Sequence, residues 1–287
     1  MIYTLQNDRL TVQISDKGAE ICSVKDKDGA EWLWQGDPAF WEDHAPVLFP
    51  YCGRVWNSLC TVNGVPCNLG LHGFFMHQNT EGAQASATSV TFTLRESTDT
   101  LAVYPFPFVM KMIYTLDENT LNVRAEIKNT GTRTMPYGYG VHPGFCLPAA
   151  EGAPESFYLE FPQKDTIRSL CMDESECYPT VGDRAFLPQN SNRFYFPTGM
   201  LSAILRDGVG EVSIGGDHSS RRITLRYPDF PYLTLWKPEG GSFICVEPWT
   251  SLPSTFGKPT ELTEKADLLH LQAGEINLHE FSIRFGE

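Results

Sequence analysis

Two histidines, a glutamate and an arginine stand in sequence settings that suit acid–base chemistry on a small polar molecule. The strongest candidate is Glu247 in "GSFICVEPW" (241–249), where four apolar residues lead directly into the carboxylate and Pro248 follows it. A carboxylate at the end of a buried strand loses hydration, and its pKa rises toward the range in which it accepts and returns protons. The alternative is a glutamate that has simply reached the sheet edge and solvent.

His142 lies in "YGYGVHPGF" (137–145), between a run of glycines and aromatic residues and a Pro-Gly break. Gly138, Gly140 and Gly144 are expected to leave room for another molecule near the backbone. Aromatic residues of the same stretch would offer surface on which sugars stack: Tyr137, Tyr139 and Phe145. The competing interpretation is packing at the rim of a sandwich.

The other two candidates are His72 in "LGLHGFFMH" (69–77) and Arg54 in "APVLFPYCGRV" (45–55). A guanidinium that follows a glycine can hold sugar hydroxyls or a carboxylate, although a surface ion pair is the alternative. His72 is equally compatible with a satisfied, partly buried histidine. Because the candidates are far apart in the chain, only the fold can bring them into one site.

The elements that must position these residues are mainly strands. Apolar residues alternate in "VTFTL" (90–94), "LNVRAEI" (121–127) and "ITLRY" (223–227), and residues 117–120 form a polar break of hairpin length. We expect an all-β chain, folded as a large antiparallel β-sandwich in a single domain over residues 1–287. Helix content should be low, with one short helical turn at 36–43.

Two further features of the chain bear on its organisation. Residues 150–200 have the least strand-like pattern and suggest an insertion over one sheet face. The eight cysteines are scattered without a C-x-x-C pair, which favours reduced, packed thiols over a disulfide framework.

Composition excludes several classes of partner. The apolar fraction of 41% is that of a globular protein, and the net charge of −13 argues against nucleic acid or an anionic membrane as a ligand. We recognise neither a signal peptide nor an apolar run of membrane-spanning length in the sequence, so we expect a cytoplasmic protein.

Five motifs, in their order and spacing, carry a resemblance: "LFPYCGR", "LHGF", "GVHPGF", "YPDFPYLTLW" and "VEPW". Together they resemble the aldose 1-epimerase (galactose mutarotase) family, and most of all its LacX-like branch. The similarity extends over nearly the whole chain, from "TVQISDKGAEICSVKD" to "LQAGEINLHEFSI".

This resemblance implies a β-supersandwich that interconverts the α- and β-anomers of a free monosaccharide without a metal or organic cofactor. It implies that Glu247 is the general base, His142 the general acid, and His72 a group that holds the sugar and polarises its ring oxygen. Arg54 and, on weaker grounds, Lys237 would contact substrate. A monomer and a homodimer are both compatible with it.

Two departures from the family pattern leave alternatives open. A Gly-Phe-Ala-Arg type sequence usually follows the first histidine, whereas this chain has "GFFMH" (73–77), and the family's sugar-binding aspartate has no match, with 190–196 as the relevant region. The alternatives are a non-catalytic sugar-binding or sensing protein, a phosphosugar mutarotase and a metalloenzyme. A glycosidase would need a second carboxylate beside Glu247.

Overall fold

The computed structural model describes residues 1–162, 167–175, 177–187, 191–206 and 210–286. Strands dominate, and α1 (Thr98–Val103) is the one α-helix among these residues. None of the helices in the described residues has the length and apolar character that a bilayer crossing requires.

The strands of the first half, in chain order, are β1 (Ile2–Gln6), β2 (Leu10–Ser15), β3 (Ile21–Asp26), β4 (Val47–Leu48), β5 (Cys60–Val62), β6 (Val65–Cys67), β7 (Glu81–Ser86), β8 (Ser89–Arg95), β9 (Phe108–Asp117), β10 (Thr120–Asn129), β11 (Met135–Tyr137), β12 (Gly140–Val141) and β13 (Gly144–Cys146). Those of the second half are β14 (Phe157–Glu160), β15 (Arg168–Met172), β16 (Pro179–Ala185), β17 (Arg193–Tyr195), β18 (Leu201–Arg206), β19 (Glu211–Gly216), β20 (Ser219–Arg226), β21 (Tyr232–Lys237), β22 (Phe243–Trp249), β23 (Thr260–Glu261), β24 (Leu269–Leu271) and β25 (Ile276–Phe285).

Two large sheets make up the sandwich. One has nine strands in the order β17-β14-β19-β20-β25-β10-β9-β8-β7. The other has eight strands, in the order β16-β15-β18-β21-β22-β12-β4, with β13 also paired to β22. Within the described strands every ladder is antiparallel except the β23–β5 pair. The expected all-β, antiparallel sandwich is therefore confirmed.

Alternating burial explains why these segments are strands. On β8 the predicted face of Val90, Phe92 and Leu94 is buried, and the intervening residues are partly exposed. The hairpin predicted at 117–120 is present, because Asp117 pairs with Thr120 across a two-residue turn. A continuous apolar core joins the inner faces of both sheets, from Met110 and Met112 of β9 to residues of β21 and β22. This core gives the eight-stranded sheet a rigid backing.

Residues 150–200 are more regular than their sequence indicates. Their described part forms β14 and β17 at one edge of the nine-stranded sheet, and β15 and β16 at an edge of the eight-stranded sheet. The expected insertion over a sheet face is thus corrected to edge strands of both sheets. The edge strand β16 is exposed along almost its whole length, so it lacks the alternation by which strands are recognised.

Two local features complete the comparison with the sequence. The short turn expected near residue 37 is present, since the Asp37 side chain accepts the N–H of Ala39 at 2.9 Å and its carbonyl accepts that of Trp41. The structure also joins Cys60 and Cys67 as a disulfide across the β5–β6 hairpin. This single pairing departs from the expectation of reduced, packed thiols, and the other six cysteines are free.

Candidate active site

A cavity of about 540 Å³ lies on the face of the eight-stranded sheet that points away from the core. Because side chains alternate along a strand, every second residue of three adjacent strands reaches it. These residues are Ser202 and Ile204 of β18, Thr234 and Trp236 of β21, and Glu247 and Trp249 of β22. The residues between them, such as Leu235 and Val246, belong to the core. The cavity floor is therefore built by strand periodicity alone.

Strand register places His142 opposite Glu247. Two pairs flank this position: Gly140 with Trp249, and Gly144 with Cys245. Between these two pairs, at His142 and Pro143, the pairing with β22 is interrupted, and it starts again at Gly144. The His142 imidazole therefore points into the cavity. His142 Nε2 lies 3.3 Å from Glu247 Oε2. The two sequence candidates nominated as acid and base are thus direct neighbours.

Both members of this pair are almost completely enclosed. Glu247 is 1% exposed and His142 is 8% exposed. Burial raises the pKa of Glu247 well above its usual value, although the nearby indole of Trp249 opposes the rise. Burial also lowers the pKa of His142 to about 4. Each group therefore favours its neutral form.

Unused hydrogen-bonding capacity marks the pair as a ligand site. In the described part of the chain, neither oxygen of Glu247 has a hydrogen-bond partner of normal geometry, and Nδ1 of His142 also lacks one. The hydroxyl of Thr234, which faces Glu247 across β21 and β22, is buried without a partner as well. Buried polar groups are rarely left unpaired, so these atoms point to a polar ligand in the cavity.

His72 adds a second imidazole with a defined tautomer. Its Nδ1 accepts the N–H of Gly53 at 3.0 Å, so the ring proton of the neutral imidazole lies on Nε2 and is available as a donor. The ring packs edge-on against His142 with centroids 5.3 Å apart. Burial, together with the nearby His142 and Arg54, holds the pKa of His72 well below its usual value. The backbone at His72 has φ +62, a strained conformation of the kind found at functional sites.

The two basic candidates have different positions. Arg54 is exposed and lines the cavity, and no ion pair joins it to a carboxylate among the described residues. Lys237 does not line the cavity, because it follows Trp236 on β21 and points to the opposite face of the sheet. Its Nζ donates to the carbonyl of Pro238 at 3.4 Å. The structure thus brings together Glu247, His142, His72 and Arg54, and leaves Lys237 outside.

The aromatic wall of the cavity comes from residues that the sequence did not single out. The ring of Trp41 lies over that of His142, with centroids 4.7 Å apart, and stacks on Phe243 at 5.8 Å. Trp34 holds this loop in place, since its Nε1 donates to the carbonyl of Trp41 at 2.8 Å. Trp236 and Trp249 supply further aromatic surface.

This arrangement corrects two expectations about residues 137–145. Tyr137, Tyr139 and Phe145 are completely buried and offer no surface to a ligand. The space over the glycines is filled by the protein itself: a Cβ on Gly140 would lie 2.7 Å from Trp249 Cδ1, and one on Gly144 would lie 2.9 Å from a ring carbon of Trp41. Packing, rather than ligand approach, therefore requires glycine at these positions.

Asp43 and His77 also line the cavity. Burial raises the pKa of Asp43, with Glu20 and Glu42 adding to the effect. No sequence signal placed this aspartate near His142, because it reaches the cavity from an irregular loop. Thr234 could have been found, since it alternates with Trp236 in the "YPDFPYLTLW" motif, which forms β21. His77 is the last residue of "GFFMH" (73–77), the segment that differs from the usual family sequence. That difference therefore changes the residues that line the cavity.

The match to known proteins agrees with this geometry. The family model described as Aldose 1-epimerase matches residues 1–266. The chain belongs to the aldose 1-epimerase family. Protein LacX (chromosomal) of Lactococcus lactis subsp. lactis is 32% identical over 282 residues, which cover 92% of this chain and 93% of that protein. The resemblance drawn from the five motifs is confirmed.

Two solved structures are similar to this aldose 1-epimerase family member throughout. A galactose mutarotase related enzyme from Lactobacillus acidophilus superposes with a TM-score of 0.93 at 30% identity and covers 100% of this chain and 98% of its own. A galactose mutarotase-like protein from Lactobacillus casei gives a TM-score of 0.92 at 27% identity, with 99% and 100% covered. The galactose mutarotase-like fold is thereby established.

Proposed function

We propose that this protein is a mutarotase that interconverts the α- and β-anomers of an unphosphorylated aldose. The observation that carries the proposal is the contact between His142 and Glu247, 3.3 Å apart on the floor of an open cavity. Mutarotation needs an acid and a base that exchange roles, and no net proton is consumed. Membership of the aldose 1-epimerase family supports the same reaction.

In this mechanism the pair shares one transferable proton. Transfer of that proton from Glu247 to His142 gives the reactive form, in which the Glu247 carboxylate removes the proton from the anomeric hydroxyl while the His142 imidazolium protonates the ring oxygen. The ring bond at C1 breaks, the C1–C2 bond rotates, and closure on the other face returns both protons. The His142–Glu247 pair has the same net charge before and after the sugar ring opens. No step therefore adds a charge to the desolvated cavity.

Supporting groups orient the sugar. His72 presents its Nε2 proton beside His142 and would polarise a ring oxygen, because its Nδ1 is held by Gly53. Arg54 and Asp43 offer a donor and an acceptor for sugar hydroxyls at the cavity wall. The indole of Trp236 lines the cavity and offers an apolar face on which a pyranose ring can stack.

Charge in the cavity favours an unphosphorylated substrate. Among the described residues that line it, Arg54 is the one arginine or lysine, and the other titratable side chains include the carboxyl groups of Asp43 and Glu247. Phosphate recognition generally uses several Arg or Lys side chains. We therefore expect free hexoses or pentoses to exchange faster than their phosphate esters.

Saturation-transfer NMR between anomeric signals tests the proposal across free aldoses and an aldose 6-phosphate. Wild-type protein should accelerate exchange, and Glu247→Gln should slow it by on the order of 10²–10⁴-fold. Glu239→Gln, on an exposed turn, is the matched control and should behave as wild type. Full exchange by Glu247→Gln would contradict the acid–base assignment.

A sugar-binding role without catalysis is the second candidate, because Met76 and His77 of the altered "GFFMH" segment line the cavity. The same NMR experiments separate the two functions. Sugar-dependent chemical-shift changes without accelerated exchange would select the binding protein.

A further inference from the structure

Cys245 lies next to the acid–base pair but takes no part in the proposed mechanism. It is two residues before Glu247 on β22, so both side chains project from the same face of the strand. One ligand atom each from His142, Cys245 and Glu247 lie within 4.8 Å of one another. All three residues are buried. A thiol, an imidazole and a carboxyl group thus converge on one point, and the imidazole and the carboxyl group also line the cavity.

The carboxyl group of Glu247 has ligand capacity that no other group of the described residues uses, and His142 Nε2 faces it at 3.3 Å. Both oxygens of Glu247 are buried and unpartnered in the described part of the chain, as is Nδ1 of His142. Glu247 meets the cavity with 1% of its surface exposed. The carboxyl group is therefore available to either a sugar or a cation at this point.

We propose that His142, Cys245 and Glu247 form a binding site for a borderline or soft divalent cation such as Zn²⁺, and that the bound ion competes with sugar. Zinc ligated by Cys, His and a carboxylate has bonds of about 2.0–2.3 Å, which sets ligand atoms about 3–4 Å apart in a tetrahedron. The three ligand atoms lie within 4.8 Å of one another, so binding would draw them together into that range.

The ligand set selects the metal class. A thiolate with an imidazole favours Zn²⁺, Co²⁺ or Cd²⁺ over Mg²⁺ and Ca²⁺, which require oxygen ligands. One thiolate and one carboxylate neutralise the dication, so the occupied site has no net charge in its buried setting. Binding releases the Cys245 thiol proton and, from the protonated form of Glu247, a second proton.

A second cluster has the same three residue types, but its carboxylate already accepts hydrogen bonds from the protein. Glu20, Cys22 and His44 also lie within reach of one another. There, however, Glu20 Oε1 accepts the N–H groups of His44 and Ala45 at 2.8 and 2.9 Å. The carboxylate is already satisfied by backbone, so Cys22 provides a matched control for Cys245.

Co²⁺ titration of the whole purified chain tests the site without reference to catalysis. A thiolate-to-cobalt charge-transfer band should appear with wild type and with Cys22→Ser, and it should be lost in Cys245→Ser. Zn²⁺ affinity measured by calorimetry should fall at least about tenfold in Cys245→Ser and be unchanged in Cys22→Ser. Cys245→Ala and Glu247→Gln give the same comparison if the serine variant folds poorly.

A wild-type protein without the band, or equal Zn²⁺ affinity in wild type and the folded Cys245 variants, would overturn the proposal. Since neither readout uses anomeric exchange, the metal site and the mutarotase function succeed or fail separately. Competition is measured in the same calorimeter, where saturating aldose should weaken Zn²⁺ binding to wild type. Equal Zn²⁺ binding with and without a sugar that demonstrably binds would contradict competition.

Discussion

His142 and Glu247 face each other at the point where β12 leaves its ladder with β22, and their side chains lie 3.3 Å apart. Burial pushes the pKa of Glu247 upward and that of His142 downward. The pair consequently titrates as a unit that retains one exchangeable proton over a wide pH range. A pair in that state can start mutarotation in either direction.

The pH profile of kcat/KM should reflect this shared proton. A second proton reaches the pair only when His142 titrates, at a pKa of about 4. Activity should therefore stay level as pH falls to about 5 and drop below that, because doubly protonated pairs have no base. Polarimetry or NMR exchange across pH in a constant-ionic-strength buffer measures the curve. An acid limb centred on the ordinary histidine pKa of about 6.5 would contradict the desolvated pair.

Trp41 should control where that acid limb lies. Its indole covers the His142 ring at 4.7 Å and keeps water from it. Trp41→Ala should admit water, raise the pKa of His142 toward its usual value and move the acid limb to higher pH. Trp41→Phe preserves an apolar ring and serves as the control. An acid limb at the same pH in wild type and Trp41→Ala would show that the indole does not desolvate His142.

Strand periodicity made much of this architecture predictable. Alternation identified β8 and β10, and the apolar run before Glu247 identified a buried strand that ends in a carboxyl group. Four of the five candidate residues meet at one cavity, whereas Lys237 was placed there only because it follows Trp236. The face on which a residue lies changes with a shift of one position, and sequence proximity does not capture that.

The contributions of Trp41 and Asp43 were not predictable in the same way. Both come from an irregular loop held by tertiary contacts, such as the bond from Trp34 Nε1 to the Trp41 carbonyl. Such contacts depend on where the loop docks rather than on any local pattern. The burial of Tyr139 was missed for a related reason, since aromatic residues beside glycine suit a core as well as a binding surface.

Stability should reveal the cost of keeping Glu247 buried. A carboxyl group whose folded pKa exceeds its unfolded value stabilises the fold at low pH, and this contribution is lost as pH rises above about 4.5. Glu247→Gln removes the titration. Relative to wild type, the variant's free energy of unfolding should rise as pH increases above about 5, by at most about 1.4 kcal/mol per pH unit.

Urea unfolding at several pH values checks this, with Glu239→Gln as an exposed control. Parallel stability curves for wild type and Glu247→Gln would mean that the carboxyl group ionises normally in the folded protein. A stabilised but inactive variant would show that the acid–base group is retained at a cost in stability.

Asp43 should contribute to sugar affinity rather than to proton transfer. Its carboxyl group lines the cavity, whereas the transferable proton lies between His142 and Glu247. Asp43→Asn keeps the size of the side chain but weakens it as an acceptor for sugar hydroxyls, so KM should rise about tenfold with kcat nearly unchanged. Glu42→Gln, its exposed neighbour, is the matched control. Initial-rate polarimetry over a range of aldose concentrations separates the two parameters, and a fall in kcat at constant KM would instead place Asp43 in the chemical step.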